Sequence, residues 1–459
     1  MMKGKTAMKR LLLTYYGDDF TGSTDSMEAL TSNGFRTVLF LKAPDLEMIE
    51  NKFPDIQCVG IAGISRSLSP DQMERELLPI FQKMKTLHSP LIHYKVCSTF
   101  DSSPEIGSIG KVLELAKQIF PSQRAIPVLA GAPSLQRFTV FGNHFAKMNG
   151  ITYRLDRHPT MSRHPVTPMH EADLRLHLKQ QTSLAITLFD VLDLQEDLQK
   201  VHETYQNKLN EQADVVLFDV LDENHLEKIG SIIWKQGEHG QPFVVGSSGV
   251  QYALAAHWKK IGIEHHYVPP GAGAARQVLV VSGSCSPVTQ HQIEIALQHG
   301  FCGVKIPVEG LIDPSRRADV RRELFQQVCT QLQQGKSVII YSAWGPDDPG
   351  IAQTKQYLQS VGMAPSETGK LLGEQLGRLT RDVVEAMEVK RVVVAGGDTS
   401  GYVTKELGIY GLEVLKPIAP GAPLCRCYAE GERFDGLELA LKSGQFGQPD
   451  YFVRVLHGN

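Results

Sequence analysis

The sequence has no long hydrophobic run and no surplus of basic residues. No segment approaches the roughly 20 consecutive apolar residues that a helix needs to span a bilayer. The start of the chain lacks the small-residue cleavage site of a signal peptide. With 47 Lys and Arg against 50 Asp and Glu, the formal net charge is -3, which offers no basic field to a polyphosphate backbone. We therefore expect a cytoplasmic protein that binds neither a membrane nor nucleic acid.

Cysteine is also scarce, and its spacing fits neither a disulfide framework nor a zinc site. The chain contains seven cysteines, an odd number, scattered over its length, which indicates reduced thiols. Cys425 and Cys427 lie close together, but no second Cys or His pair follows at zinc-finger spacing. His158, His164 and His170 are six residues apart and separated by prolines, so we expect an ordered loop over a ligand cleft and no metal cluster.

The common nucleotide-binding motifs are missing as well. Neither G-x-x-x-x-G-K-[ST] nor a strand-linked G-x-G-x-x-G occurs, so the common NTPase and dinucleotide folds lose support. What recurs is a short apolar run, a turn rich in Gly, Ser or Asp, and a segment of helical periodicity, which is typical of βα units. Punctuation by Pro, Gly and Ala is richest at 268–276. We predict an α/β fold with two domains, 1–268 and 277–459, each with a mainly parallel sheet flanked by helices and with a ligand cleft between them.

Several small polar turns follow the predicted strands. In open α/β sheets, ligands bind beyond the carboxyl ends of the strands. Glycine allows close backbone approach, and the free amides at a helix start favour anions. Such turns on both predicted domains indicate more than one anionic group to be held. They are "GDDFTGS" (17–23), "GSSG" (246–249), "SGSCSP" (282–287) and "AGGDTSG" (395–401).

Carboxylates and cations gather in the turns of the first predicted domain. Asp18 and Asp19 follow an apolar run, and Thr21 or Ser23 could cap the helix that we expect to begin near Thr24. One aspartate could also bind amides at that helix start, but two in succession exceed what capping requires. Arg66 follows another run, where a guanidinium could hold a carboxylate through two hydrogen bonds or form a surface ion pair. A further set combines a cation, hydroxyls and a carboxylate, which suits a polyhydroxylated anion. It consists of Lys95, Ser98, Thr99 and Asp101.

Five motifs, in this order and spacing, resemble the four-carbon acid sugar kinase family from about Leu11 to Phe452. They are "GDDFTGSTD", "KVCSTFDSSPEIGSIG", "VVSGSCSPVTQHQI", "VVVAGGDTSG" and "LKSGQFG". The resemblance implies an N-terminal sugar-acid domain and a C-terminal nucleotide domain. It also implies phosphorylation by ATP, with Mg²⁺, of the terminal (C4) hydroxyl of threonate, erythronate or 3-oxo-tetronate in sugar-acid catabolism. "CSTFDS" is closer to the oxo-tetronate kinases, whereas "EIGSIGK", "VFGNHFAK" and "MSRHPVTPM" depart from them, so the acid stays open.

The resemblance also carries over individual residues by position. It implies that these lie near the sugar acid: Asp18, Asp19, Arg66, Lys95, Ser98 and Asp101. It implies that these contact ATP: Ser282, Ser284, Gly396, Gly397, Asp398, Thr399 and Gly444. One aspartate, with slight preference for Asp19, would accept the proton of the attacking hydroxyl, while Arg66 and Lys95 neutralise the sugar carboxylate. Mg²⁺ would be held mostly by phosphate and water.

Two other classes of function stay open at this point. A metal-dependent phosphohydrolase or lyase could use the paired aspartates on a phosphorylated sugar acid, without ATP. A non-catalytic sugar-acid sensor could use the first set of residues, although it would have little need for a second anion site. The sequence also leaves open the stereoisomer of the acid and the oligomeric state, including a homo-oligomer.

Overall fold

The chain forms two compact units, Met1–Val268 and Pro269–Asn459. The computed structural model describes residues 11–237, 240–363 and 365–459. Each unit contains parallel strands flanked by helices, so the predicted α/β class is confirmed. The cleft between two domains stays a prediction. In the described residues, no helix is both long and apolar enough to cross a membrane.

The N-terminal unit is built on buried parallel strands that alternate with helices along the chain. All five residues of the first strand are buried, as is typical of parallel sheets covered by helices. The strands of this sheet and of a small antiparallel sheet are, in chain order, β1 (Leu13–Gly17), β2 (Thr37–Phe40), β3 (Cys58–Ala62), β4 (Ile92–Lys95), β5 (Ile126–Leu129), β6 (Arg137–Val140), β7 (Asn143–Met148), β8 (Ile151–Arg154), β9 (Ile186–Phe189), β10 (Val215–Phe218) and β11 (Phe243–Gly246). The parallel order is β2-β3-β1-β4-β11-β5-β10-β9, and β6-β7-β8 form the antiparallel sheet.

The helices of this unit pack apolar faces against the sheet. Phe81 lies edge-on to Phe243 of β11, with ring centroids 4.9 Å apart, inside the main hydrophobic core. The third helix begins with Ser69 and Gln72 in a capping box and Pro70 at its first position, which is a strong start signal. The helices are α1 (Phe20–Ser32), α2 (Leu46–Lys52), α3 (Pro70–Lys85), α4 (Ile109–Ile119), α5 (Leu174–Lys179), α6 (Leu198–Asn210), α7 (Glu223–Gln236) and α8 (Gly249–Lys260).

The C-terminal unit has a mixed sheet. Its strands are β12 (Leu279–Ser282), β13 (Cys302–Lys305), β14 (Val338–Tyr341), β15 (Arg391–Ala395), β16 (Ile409–Ala419), β17 (Ala422–Ala429) and β18 (Glu438–Lys442). The order is β13-β14-β12-β15-β18-β17-β16. Pairs among the first five are parallel, whereas β17 is antiparallel to both of its neighbours. Its helices are α9 (Pro287–Gln298), α10 (Val308–Ile312), α11 (Arg317–Gln333), α12 (Pro349–Val361), α13 (Pro365–Met387), α14 (Gly397–Glu406) and α15 (Tyr451–His457).

Candidate substrate and anion sites

The central strands of the N-terminal unit end at one level. Gly17 of β1 is in register with Ala62 of β3 and with Lys95 of β4, and Lys95 is in register with Gly246 of β11. Because the strands are parallel, the turns that follow them lie at the same edge of the sheet. This register brings the motif that begins at Gly17 next to the motif that begins at Lys95.

Arg66 joins the two adjacent aspartates. Its Nε donates to Asp18 Oδ2 at 3.1 Å, its Nη2 donates to Asp18 Oδ1 at 2.8 Å, and its Nη1 donates to Asp19 Oδ2 at 2.8 Å. Burial raises the pKa of Asp18, and the charge of Arg66 opposes that rise. Although burial disfavours the charged guanidinium, Asp18 holds the pKa of Arg66 well above its usual value. The ion pair therefore fixes the edge where β1 and β3 end.

Asp19 is the N-cap of α1, so the expected helix start near Thr24 is wrong. The helix begins at Phe20, and Asp19 Oδ1 accepts a hydrogen bond from Gly22 N at 2.6 Å. The Ser23 hydroxyl, which could have been the cap, lies in the first turn and donates to Asp19 O at 2.6 Å. The side chain of Asp19 is 30% exposed, against 6% for Asp18. Asp19 is therefore the carboxylate of the pair that a ligand can reach.

Lys95 lies under the start of the same helix. Its side chain is 3% exposed, and its Nζ is 3.6 Å from Asp25 Oδ2 in α1. A Cβ on Gly22 would lie 2.5 Å from both Asp19 Oδ1 and Lys95 Nζ, so a larger residue there would displace the end of one or both side chains. Asp25 stands inside the first motif, but sequence reasoning did not select it because helical residues facing a neighbouring strand cannot be identified without the packing.

The turn after β4 holds a second buried carboxylate. Asp101 Oδ1 accepts from the Thr99 hydroxyl at 2.5 Å, and Asp101 Oδ2 accepts from the Thr167 hydroxyl at 3.4 Å. Burial opposes ionisation of Asp101, yet Arg66 and then the Thr99 hydroxyl lower its pKa overall. Thr167 belongs to the histidine-containing loop, which therefore contacts this carboxylate.

A buried histidine fixes the main chain of the same turn. The Nε2 atom of His144 lies 2.8 Å from the carbonyl oxygen of Ser98, and its Nδ1 atom lies 2.9 Å from the Thr139 hydroxyl. Burial lowers the pKa of His144 to about 4, so the imidazole is neutral near pH 7 and donates from one nitrogen only. His144 is a positioning residue for Ser98 that the sequence patterns did not indicate.

Arg137, at the start of β6, is a cation that sequence reasoning missed. Its Nη1 donates to the carbonyls of Leu135 at 3.1 Å and Lys147 at 3.4 Å, and its buried Nε has no partner among the described residues. Burial lowers the pKa of Arg137, and nearby Cys97 opposes that shift. Within the part of the chain that the structure describes, its hydrogen bonds go to carbonyls and it pairs with no carboxylate. Nothing around Arg137 in the sequence marks it.

Three neighbouring strands of the C-terminal unit also end at one level. Ser282 of β12 is in register with Ala395 of β15, which is in register with Lys442 of β18. The segments that follow, 282–286, 396–399 and 443–446, are called the glycine turns here. Two of them lead directly into helices: Ser286 caps α9, and Gly396 caps α14 with φ +132°. The amides of two helix N-termini therefore lie at one edge of the sheet, where they favour anions.

The glycine turns approach one another too closely for larger residues. A Cβ on Gly283 would lie 2.1 Å from the Thr399 hydroxyl, and one on Gly444 would lie 2.6 Å from the Ser284 hydroxyl. Thr289 also donates to the Gly444 carbonyl at 3.0 Å. The structure thus brings together most residues that the resemblance implied for ATP. Gly397 has open space around it, and Asp398 in the first turn of α14 is exposed.

Lys442 is a further residue that sequence reasoning missed, although it stands in a quoted motif. It is 1% exposed, and its Nζ donates to the Thr289 hydroxyl at 3.2 Å. Burial lowers the pKa of Lys442 to about 7. The signal that could have found it is its place at the end of an apolar run directly before a glycine turn.

The described residues hold no group of three or more His, Cys, Asp or Glu side chains that could bind a metal ion. The cysteines that the structure describes are free thiols.

Family models match both units. A sugar-binding N-terminal domain model matches residues 13–254, and a nucleotide-binding C-terminal domain model matches residues 279–452. A 3-oxo-isoapionate kinase of Paraburkholderia graminis is 45% identical over 454 residues, covering 98% of this chain and 94% of the relative. A 3-oxo-tetronate kinase of Pseudomonas fluorescens is 29% identical, covering 97% of each chain.

Solved structures share the architecture. A Salmonella typhimurium LT2 protein whose description proposes a tRNA synthase superposes with TM-score 0.77 at 25% identity, covering 97% of this chain and 98% of that one. A Haemophilus influenzae protein superposes with TM-score 0.72 at 24% identity, covering 96% and 98%. The second likeness concerns the fold alone.

Proposed function

Because the chain belongs to the four-carbon acid sugar kinase family, we propose that it transfers the γ-phosphoryl group of ATP to the terminal hydroxyl of a 3-oxo sugar acid. The reaction is a phosphotransfer with an alcohol group as acceptor. The relative at 45% identity is named for 3-oxo-isoapionate, and the relative at 29% identity is named for 3-oxo-tetronate. We take 3-oxo-isoapionate as the first candidate substrate and 3-oxo-tetronate, threonate and erythronate as the next ones.

In this proposal the N-terminal unit binds the sugar acid. Asp19 accepts the proton of the attacking hydroxyl, because it is the more exposed of the paired carboxylates. Asp18 accepts hydrogen bonds from Arg66 on both of its carboxylate oxygens and orients the loop. Ser98 and Asp101 supply groups for the remaining hydroxyls of the sugar acid.

The substrate's carboxylate needs a cation of its own. Arg66 and Lys95 were expected to fill this role, but each of them already forms ion pairs with aspartates. If Asp101 is included, the aspartates around these two cations outnumber them. The net charge of the group is therefore negative and would repel an anionic substrate. We therefore propose that Arg137, whose Nη1 donates to carbonyls in the described residues, binds the carboxylate of the sugar acid.

In the C-terminal unit the glycine turns bind the phosphates of ATP. The observation that carries this assignment is the shared edge formed by Ser282, Ala395 and Lys442, with the helix N-termini of α9 and α14 beside it. Main-chain amides and the hydroxyls of Ser284 and Thr399 would donate to phosphate oxygens. When bound, Mg²⁺ neutralises part of the phosphate charge, and the nucleotide and water would hold most of it.

A direct assay tests the proposal. Purified protein would be incubated with ATP, Mg²⁺ and each candidate acid in turn, and ADP formation would be followed by a coupled assay. We expect turnover with at least one 3-oxo acid, and NMR of the product should locate phosphate on the terminal carbon. Absence of ADP formation with both 3-oxo acids would contradict the proposed substrate, and its absence with all four acids would contradict the kinase proposal.

Parallel arms separate the two alternative classes. A phosphohydrolase or lyase would act on the phosphorylated acid without ATP, so release of phosphate from the product in an ATP-free arm would favour it. A sensor would be stabilised in a thermal-shift measurement by the acid but not by ADP with Mg²⁺, whereas a kinase should be stabilised by both. A tRNA substrate is not proposed, since the net charge of -3 gives no basic field for it. The cytoplasmic location and the oligomeric state stay predictions.

A further inference from the structure

Lys442 ends a central strand and is closed off from solvent. It is the last residue of β18, opposite Ala395 at the end of β15, and only 1% of its surface is exposed. Its carbonyl oxygen accepts a hydrogen bond from Gly396 N at 2.9 Å. The lysine therefore lies at the base of the glycine turns.

The ammonium group of Lys442 has a polar contact without a counter-charge. Its Nζ donates to the Thr289 hydroxyl, whose single proton can reach either the Ser284 hydroxyl or the Gly444 carbonyl, each 3.0 Å away. No ion pair joins Lys442 to a carboxylate in the ranges that the structure describes. A buried ammonium that lacks an anion is costly, so its position at these turns requires an explanation.

A second buried group at the same edge indicates a missing ligand. The Ser282 hydroxyl is fully buried and has no hydrogen-bond partner within the described residues. Ser282 and Lys442 lie on either side of Ala395, each at the carboxyl end of its strand. Among the described residues, a hydroxyl without a hydrogen-bond partner and an ammonium without an ion pair thus lie together, and both match the oxygens of an anion that binds at the glycine turns.

We infer that Lys442 supplies the positive charge of the nucleotide site and that the phosphates of the bound nucleotide are its counter-charge. The contact runs through Thr289 and Ser284, which makes Lys442 a positioning residue for the phosphate-binding hydroxyls. This inference rests on the proposed function, since it assigns a role within the same nucleotide site.

Nucleotide binding should change the protonation of Lys442. Burial lowers the pKa of Lys442 to about 7, so the nucleotide-free protein holds a largely neutral amine at pH 8. A nearby polyphosphate favours the ammonium form. The titratable groups on the adjoining turns are Cys285 and Asp398, which are exposed, and burial is the cause of the shift at Lys442. Nucleotide binding at pH 8 should therefore take up close to one proton.

Titration calorimetry of the whole chain with ADP and Mg²⁺ tests the predicted proton uptake. The titrations would be run at pH 8 in two buffers of different protonation enthalpy. For the unaltered protein, we expect the binding enthalpy to differ between the buffers by an amount that corresponds to nearly one proton. Lys442→Met should abolish that difference and weaken ADP binding on the order of tenfold to hundredfold. Lys405 is an exposed lysine of α14, and the control variant Lys405→Met should show the same proton uptake and ADP affinity as the unaltered protein.

The outcomes separate this inference from the proposed function. ADP binding without proton uptake, or equal affinity of Lys442→Met, would overturn the inference and leave the kinase proposal standing. Failure of the unaltered protein to bind ADP would overturn both, and the ATP-consumption assay would then show no turnover. If Lys442→Met does not fold, the buffer dependence of the unaltered protein still decides, because proton uptake is measured without any variant.

Discussion

Arg66 holds Asp18 through two hydrogen bonds, Nε to Oδ2 at 3.1 Å and Nη2 to Oδ1 at 2.8 Å. The third, from Nη1, reaches Asp19. One guanidinium thus neutralises a buried carboxylate and orients a more exposed one beside it. Of the two successive aspartates, Asp18 is buried and paired on both carboxylate oxygens, whereas Asp19 remains accessible.

The first prediction concerns that ion pair. The side chain of Asp18 is only 6% exposed, and Arg66→Ala removes the cation that pairs with it. We therefore expect the free energy of unfolding at pH 7 to fall by about 3 to 5 kcal/mol. Urea denaturation of the variant and of the unaltered protein measures this difference in unfolding free energy. Adding Asp18→Asn should recover part of the loss, because the buried group is then neutral. A loss no larger than that of Arg75→Ala, an exposed residue of α3, would refute the prediction.

The second prediction concerns the proposed base. Asp19→Asn keeps an oxygen that can cap Gly22 N, so α1 should remain intact. The amide cannot accept the substrate's proton, and we expect kcat to fall by about 10² to 10⁴, with little change in ADP affinity. Steady-state kinetics and calorimetry check the two quantities separately. Unchanged kcat would remove Asp19 from this role.

The third prediction concerns substrate recognition by Arg137. Arg137→Ala should raise KM for the sugar acid by roughly tenfold or more, since a charge-assisted hydrogen bond is lost. The KM for ATP should not change. The measurement is a matrix of initial rates over both substrates, with Arg157→Ala, an exposed arginine, as the control. An equal rise in both KM values would point to general damage to the protein.

The fourth prediction concerns the glycine turns. Gly283→Ala places a Cβ 2.1 Å from the Thr399 hydroxyl, so Thr399 must rotate or the turn must shift, and we expect ADP affinity to fall by about tenfold to hundredfold. Gly401→Ala is the matched control, because its Cβ meets nothing within 4 Å and alanine favours the helix. Fluorescence titration with a nucleotide analogue would compare the two. Equal affinities would show that the turn does not contact the nucleotide.

The fifth prediction concerns pH and stability without nucleotide. The pKa of Lys442 is about 7 in the folded protein, against 10.5 as its ordinary value. Between these values the unfolded chain binds more protons, so stability should rise with pH. Relative to Lys442→Met, the unaltered protein should gain up to about 1.4 kcal/mol of unfolding free energy per pH unit between pH 7 and 10. Urea denaturation at several pH values gives this difference, and a flat profile would contradict it.

Much of the fold follows from local patterns. The apolar runs predict β1, β3, β4, β5 and β9 to β15, because buried parallel strands are short and continuously hydrophobic. The antiparallel strands β6 to β8, β16 and β17, as well as β18 and the short β2, were missed. Most of these strands lack the continuous apolar run that marks a buried parallel strand. Their β structure depends instead on the neighbouring strands with which they pair.

The sequence by itself determined the α/β class and the motifs around Asp18, Lys95, Ser282 and Gly396, since strand ends and glycine turns leave local signals. Only the tertiary structure decided which charges meet. It paired Arg66 with the aspartates, and it buried Lys442 where no described carboxylate forms an ion pair with it. The physical reason is that burial and ion pairing depend on which strands become neighbours, a property of the whole sheet that no single segment encodes.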